Sequence, residues 1–260
     1  MLGSHSIIQG LSMDSVSDVQ VVAPVEAPRR IAPLWHTLLL ILFLGIFSAG
    51  GAQSDHPVAR NHGLVPQYIS MIAVEWLIFA YVVWGLRKGG VVSVKELIGG
   101  RWDKVEDFLL DIGIAGAFWL VSVMVLAGCA YALGMAQAGN TNIEEARKLL
   151  GFLVPRTGIE VALWFGVAGT AGFCEEFIFR GYVQRQFAAI SGQIFVGMVV
   201  SAIVFGLAHG YEGPKRMLLI SVYGFLFSLV AWMRKSLRPG MLAHAWHDAL
   251  IGMLLRVLFK

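Results

Sequence analysis

Charge is scarce in this chain. Only 14% of its 260 residues are Asp, Glu, Lys or Arg, against about a quarter in an ordinary soluble domain, and 57% are hydrophobic. Such a balance is too apolar for a soluble fold of this length. Cysteine is scarcer still: Cys129 and Cys174 both fall in apolar segments, at no spacing that builds a disulfide framework or a zinc knuckle. Buried free thiols are expected of both, although Cys174 adjoins Glu175 and so keeps a minor claim on any site there. Basic residues exceed acidic ones by only three and are scattered among short loops, so no nucleic-acid footprint is present. No period of about 20–50 residues repeats, and the zinc-protease pattern His-Glu-x-x-His is absent. Residues 1–30 hold no sustained apolar run, which predicts a flexible N-terminal tail and not a cleaved signal peptide.

Long apolar runs fill the remainder. A spanning helix needs roughly 20 largely apolar residues, and runs of that kind lie near 34–52, 67–86, 107–134, 158–179, 193–209, 216–233 and 239–258. They predict an all-α, polytopic transmembrane helical bundle of about seven spans, divided into the tail 1–30, variable transmembrane helices over 31–157 and a catalytic-type core over 158–260. The run Leu149–Pro155 is too short to cross and is expected at the interface. Connector 87–106 carries Arg87, Lys88, Lys95, Arg101 and Lys104, whereas connector 53–66 carries only Arg60. The excess of Lys and Arg places the former, and the N-terminus with it, on the cytoplasmic side. Arg234, Lys235, Arg238 and the turn near Ser191-Gly192 then share that side, while Arg147, Lys148, Arg156, Lys215 and Arg216 fall on the other. The expected location is a cytoplasmic membrane of bacterial type.

Against this background a few ionisable residues in the last third stand out, because such groups are costly inside a bilayer and mark function by default. In Gly172-Phe173-Cys174-Glu175-Glu176-Phe177-Ile178-Phe179-Arg180-Gly181, read as a helix, Glu176 and Arg180 share a face, and Glu175 is turned by about 100°. A carboxylate braced by a guanidinium fixes geometry; a desolvated one without a cation is a candidate general base. Glu176 and Arg180 are therefore assigned to structural support and Glu175 to chemistry. His209 ends the next apolar segment, one helical turn after Phe205. Glu175 lies 16 residues before Ser191 and His209 lies 17 after Gly192, each about 24–26 Å from a reversal there, so the two should stand level in an antiparallel hairpin.

The last segment contains His244-Ala245-Trp246-His247-Asp248, in which His244 and Asp248 share a face. They could donate to a developing oxyanion or ligate a metal. An ionised Asp248 accepts but cannot donate, so its other reading is to orient His244; His247 reads as a packing or interfacial residue. His244 lies only about 9 Å along its helix from the basic turn 234–238, closer to its turn than Glu175 is to the hairpin tip. That mismatch is expected to be absorbed by the polar stretch Arg180, Gln184, Arg185, Gln186 lying outside the hydrocarbon, with a site just below the cytoplasmic face.

Taken in order, Glu175-Glu176-x-x-x-Arg180, Phe205-x-x-x-His209 and His244-x-x-x-Asp248 resemble the CPBP family, which comprises CAAX-type prenyl-protein endopeptidases and Abi or bacteriocin-processing membrane proteins. The resemblance covers roughly residues 158–255. It implies a helical intramembrane endopeptidase in which Glu175 and His209 activate water, while His244 and Asp248 stabilise the oxyanion. The family commonly has Asn where Asp248 stands, which puts the oxyanion role of that position in doubt and favours a metal-ligand or His-orienting role. A divalent metal such as Zn2+ held by Glu175, His209 and His244, and metal-free Glu/His catalysis, are equally admissible readings. The implied partners are a protein or peptide substrate, prenylated or otherwise membrane-associated, and the lipid bilayer. Rival readings are a non-proteolytic scaffold or bacteriocin self-immunity protein, a proton-coupled transporter using the same buried groups, and, more weakly, haem ligation by His209 and His244.

Overall fold

The computed structural model describes residues 30–53, 63–135, 147 and 150–259. The tail as far as Arg29, and Arg60 and Lys148 among the basic residues used for topology, lie outside the described residues. Eight helices make up the described chain: α1 (Leu34–Gln53), α2 (Val65–Gly89), α3 (Val94–Ile98), α4 (Val105–Ala132), α5 (Gly158–Ser191), α6 (Ile194–Ala208), α7 (Pro214–Arg234) and α8 (Arg238–Leu258). The protein is an all-α helical bundle, and among the described residues the sole strand-like contact is the isolated bridge Gly99–Ser236.

All seven expected apolar segments are helical. Four helices are long and apolar enough to cross a membrane unaided: α2, α4, α5 and α7. The apolar parts of α1 and α6, Leu34–Gly50 and Ile194–Ala208, are shorter, and α8 is diluted by His244, His247, Asp248 and Arg256. The outer surface carries exposed side chains such as Leu42, Ile46 and Phe47 on α1, Val121 and Met124 on α4, and Leu254 and Val257 on α8. An exterior of this kind suits lipid as the surrounding solvent, where every backbone polar group must be satisfied within the helix.

Local sequence explains the ends of the helices around the site. Thr157 caps α5 with Glu160 in a reciprocal capping box. Gly192, at φ 72°, closes α5 in the left-handed conformation that glycine adopts without penalty and lets the chain reverse into α6. Pro214 opens α7 and Pro239 opens α8, positions where the missing N–H costs nothing.

In α5 the first apolar run was expected to end near 179, but the helix continues to Ser191, and over Glu176–Val183 it widens into a π-helical stretch. The Gln184 N–H reaches back five residues to the Phe179 carbonyl, and the Ser201 hydroxyl on α6 donates to the same carbonyl at 2.7 Å. Stretches of this type are rare and recur at functional sites. Here the stretch contains Glu176 and Arg180.

Helices surrounded by lipid gain little from apolar burial against one another and associate through close packing and hydrogen bonds. Gly172 shows how. A Cβ at that position would stand 2.7 Å from the Met241 carbonyl oxygen and 2.8 Å from the Ala245 nitrogen, so only glycine lets α5 and α8 meet at this depth. The Trp164 indole N–H donates to the Asp248 carbonyl at 3.0 Å on the same interface.

The polar stretch of α5 does not project into water. Arg180, Gln184 and Gln186 are all buried, and each has partners inside the protein: Gln184 donates to the Ser228 carbonyl, while the Gln186 amide accepts from the Ile31 and Ala32 N–H groups and donates to the Ala32 carbonyl and Thr37 Oγ1. Arg185 donates to the Glu96 and Leu97 carbonyls. The mismatch between turns has a different resolution. The α7–α8 turn meets α5 at Gly181, where Leu237 packs, and its Leu237 N–H bonds the Ile98 carbonyl at 2.8 Å. His244, two turns along α8 from Leu237, is thereby level with Glu176.

Candidate active site

Glu176 is the hub. Its Oε1 accepts from the Arg180 guanidinium at 2.9 Å and from His244 Nδ1 at 3.0 Å, with both acidic and basic side chains of the first pair buried. Arg180 also donates to the Gly224 carbonyl at 3.1 Å and lies over the rings of Phe205 and Phe227, 4.3 Å and 4.9 Å from their centroids. A buried guanidinium thus has a counter-charge, a carbonyl and two π faces, the combination that makes such burial tolerable. Gly224 is required for this approach, since a Cβ there would fall 2.9 Å from the Phe205 ring and 3.2 Å from the guanidinium.

Because a carboxylate can only accept, His244 donates from Nδ1 to Glu176. Its Nε2 then faces two more carboxyls, 3.7 Å from Glu175 Oε2 and 3.7 Å from Asp248 Oδ2. His244 bridges the paired glutamates, and Glu176, more closely than Asp248, orients it. His209 resolves in the same way: its Nδ1 donates to the Phe205 carbonyl at 2.9 Å, which leaves Nε2 for a water or substrate. The Phe205 ring sits edge-on to both His209 and His244, with centroids 4.9 Å and 6.0 Å apart. Phe205 therefore seats both imidazoles and Arg180 at once.

Glu175, His209, His244 and Asp248 all line one cavity of about 520 Å³, walled by apolar side chains such as Leu44, Phe47, Ile72 and Val167. The sequence-predicted residues are brought together there, while Glu176 and Arg180 sit behind the wall. Cys174 faces the hydrophobic core.

Four further polar residues at the cavity were not singled out from sequence. Glu75 of α2 lines it close to the Glu175 carboxyl. Tyr223 of α7 lines it with a buried O–H that has no partner among the described residues. Tyr211 and Glu212, in the 3-10 turn Gly210–Glu212 that follows His209, stand at its edge with Arg216. Burial pushes the Glu212 carboxyl up from the usual carboxylate range, a shift opposed by His209 and Arg216 and reinforced by Glu175. Glu75 carried a signal that could have found it, as the only charged residue in an otherwise apolar run from Pro66 to Leu86. His247, read as a packing or interfacial residue, also lines the cavity; its ring lies 5.0 Å from that of Tyr223, and its Nδ1 is buried without a partner among the described residues.

Residues 157–250, a little over a third of the chain, match the family model described as type II CAAX prenyl endopeptidase Rce1-like. The segment 157–250 is thus similar to that family and is called the Rce1-like domain below. No curated protein and no solved structure matches the chain. The matched family is one of CAAX proteases, and the apolar helices are those of an integral membrane protein.

The Rce1-like domain runs from the α5 cap at Thr157 to α8, so it contains the Glu-Glu-Arg, His209 and His244 segments and excludes α1, α2 and α4. The cavity is wider than the domain, since Leu44 and Glu75 come from α1 and α2. A shared metal ion does not fit the donors as they stand. Among the described residues no three His, Cys, Asp or Glu side chains converge closely enough to hold one.

Proposed function

We propose that the Rce1-like domain hydrolyses a peptide bond near the end of a membrane-associated, prenylated protein or peptide, with Glu175 and His209 activating the water. The observation that carries this reading is the convergence on one apolar-walled cavity of Glu175, His209, His244 and Asp248, which come from three separate helices. A carboxylate beside an imidazole can polarise a water held between them, and the surrounding apolar wall keeps bulk water from competing.

In the first step the water oxygen bonds to the scissile carbonyl carbon, and one water proton passes to Glu175. In the second the carbon–nitrogen bond breaks, and that proton moves to the departing amide nitrogen, leaving a carboxylic acid and an amine. His209 accepts from or donates to the attacking water through Nε2. The negative charge that develops on the carbonyl oxygen needs a donor. His244 supplies one from Nε2 in its imidazolium form, whose charge Glu175, Glu176 and Asp248 surround. Tyr223, with an O–H free of other partners, supplies the second. Asp248, which lacks the amide protons of Asn, orients His244.

The basic turns support the orientation proposed for the bilayer. The Gly99–Ser236 bridge holds the α2–α4 connector, with Lys95, Arg101 and Lys104, against the α7–α8 turn, with Lys235 and Arg238. Two basic segments on one side of the bundle support assigning that side, and the N-terminus with it, to the cytoplasm, in a membrane of bacterial cytoplasmic type.

The test is cleavage of a reporter with a prenylated tetrapeptide tail by purified protein in detergent, comparing wild type, Glu175→Ala, His209→Ala and Glu176→Ala. The first two substitutions should abolish cleavage without loss of fold, and Glu176→Ala should lose stability as well. Full activity in Glu175→Ala would overturn the assignment. Chelator is expected to leave the rate unchanged; a loss restored by added zinc would place a metal in the mechanism.

A further inference from the structure

Glu75 lies outside the Rce1-like segment, on α2, and its carboxyl shares the cavity with that of Glu175, near enough to interact with it. Carboxylate oxygens only accept hydrogen bonds, so a bond between two carboxyl groups contains one proton. Without it, two like charges at contact distance would repel in a site shielded from water. Further ionisable groups line the cavity around the pair: Tyr211 in the turn after α6, and His244 and Asp248 on α8, while the Cys174 thiol on α5 is close enough to feel both charges. Glu75 and Glu175 both line the cavity.

We propose that Glu75 is the positioning residue of the catalytic carboxyl, forming with Glu175 a dyad that shares one proton. The proposal rests on Glu175 being the base. In the resting pair Glu75 donates and Glu175 accepts, which fixes the Glu175 carboxyl in the cavity. When Glu175 takes a proton from the attacking water, the dyad holds two. One of these moves to the amide nitrogen as the carbon–nitrogen bond breaks, and the dyad returns to one. Two coupled carboxyls of this kind titrate as a unit, with one protonation state active and those on either side inactive. A feature outside the family-matched segment thereby sets how the base inside it works.

The experiment measures kcat and KM for the prenylated reporter across pH with the full chain in detergent, for wild type, E75Q, E75A and E175A. A glutamine amide donates to Glu175 as the protonated Glu75 does but holds no proton that can be lost. E75Q is therefore expected to keep kcat within about threefold of wild type, while its alkaline limb moves up by about one pH unit or more. E75A should lose about tenfold or more in kcat with KM nearly unchanged, the pattern of an interaction made in the transition state. Difference infrared spectroscopy at neutral pH should show a protonated carboxyl band in wild type that is missing in E75Q. Wild-type kcat in E75A, an unmoved pH profile in E75Q, or the same carboxyl band in both proteins would each overturn the dyad. Should E75A fail to fold, E75Q and the infrared band still decide. Cleavage surviving in E175A would instead overturn the base assignment, whatever the Glu75 variants do.

Discussion

His244 and Arg180 donate to the same oxygen, Oε1 of Glu176, from 3.0 Å and 2.9 Å. One buried carboxylate thus fixes the tautomer of an imidazole at the cavity and neutralises a guanidinium behind it. The second glutamate of the pair is free to face the cavity because the first does both jobs.

Removing that carboxylate leaves Arg180 buried and unpaired. Glu176→Ala is expected to cost roughly 3–5 kcal/mol of stability, the range for breaking one partner out of a buried pair. Replacing both, as in Glu176→Gln with Arg180→Met, should cost much less, since no lone charge remains. Denaturant titration in mixed micelles measures the difference, and equal losses in the single and double variants would contradict the pairing.

Tyr223 has a buried O–H without a partner, which opposes its effects on stability and on rate. Tyr223→Phe removes an unsatisfied polar atom, so the melting temperature should hold or rise. It also removes an oxyanion donor, so kcat should fall by about 10²–10³. In an Asp248→Asn background, where an amide can donate, the same substitution should cost distinctly less. A double-mutant cycle on kcat reads this coupling, and strict additivity would remove Tyr223 from the oxyanion site.

Glu212 gives a pH dependence whose sign can be worked out. Its carboxyl is raised by burial, so the folded protein holds that proton more tightly than the unfolded chain. Its contribution is fully present below the ordinary carboxylate value and is lost as pH rises through the raised one. Glu212→Gln should therefore unfold later than wild type at neutral pH and no later at acid pH. Thermal unfolding at both values is the check.

At the α5–α8 interface, Gly172→Ala forces a methyl group against the Met241 carbonyl and Ala245. A cost of about 1–3 kcal/mol is expected, together with a fall in kcat as His244 is displaced from Glu175 and Glu176. Gly169, whose Cβ would meet nothing within 4 Å, is the control: Gly169→Ala should leave both quantities alone.

The helical bundle and the shared level of Glu175 and His209 were legible in the sequence because both depend on local rules. Apolar length sets the spans, and the residue count on either side of Ser191-Gly192 sets the hairpin level of Glu175 and His209. The His244–Glu176 bond was not legible, since it depends on α5 and α8 meeting at Gly172, a contact between segments about 70 residues apart in the chain. The expectation that Arg180, Gln184 and Gln186 lie outside the hydrocarbon treated polarity as exposure, whereas these groups find partners inside. Glu75 stands out as a lone carboxyl in an apolar helix, but its place at the site depends on α2 packing against α5, which no local pattern encodes.

The Gln186 side chain, near the far end of α5, holds both N–H groups of Ile31 and Ala32 and the carbonyl of Ala32. That grip ties the start of α1 to the same rigid rod that carries Glu175 and Glu176. A pull or twist applied ahead of Pro33 is therefore borne by the catalytic helix along its own axis. The entry to α1 and the two glutamates thus hang from a single support, and Gln186 is the rivet between them.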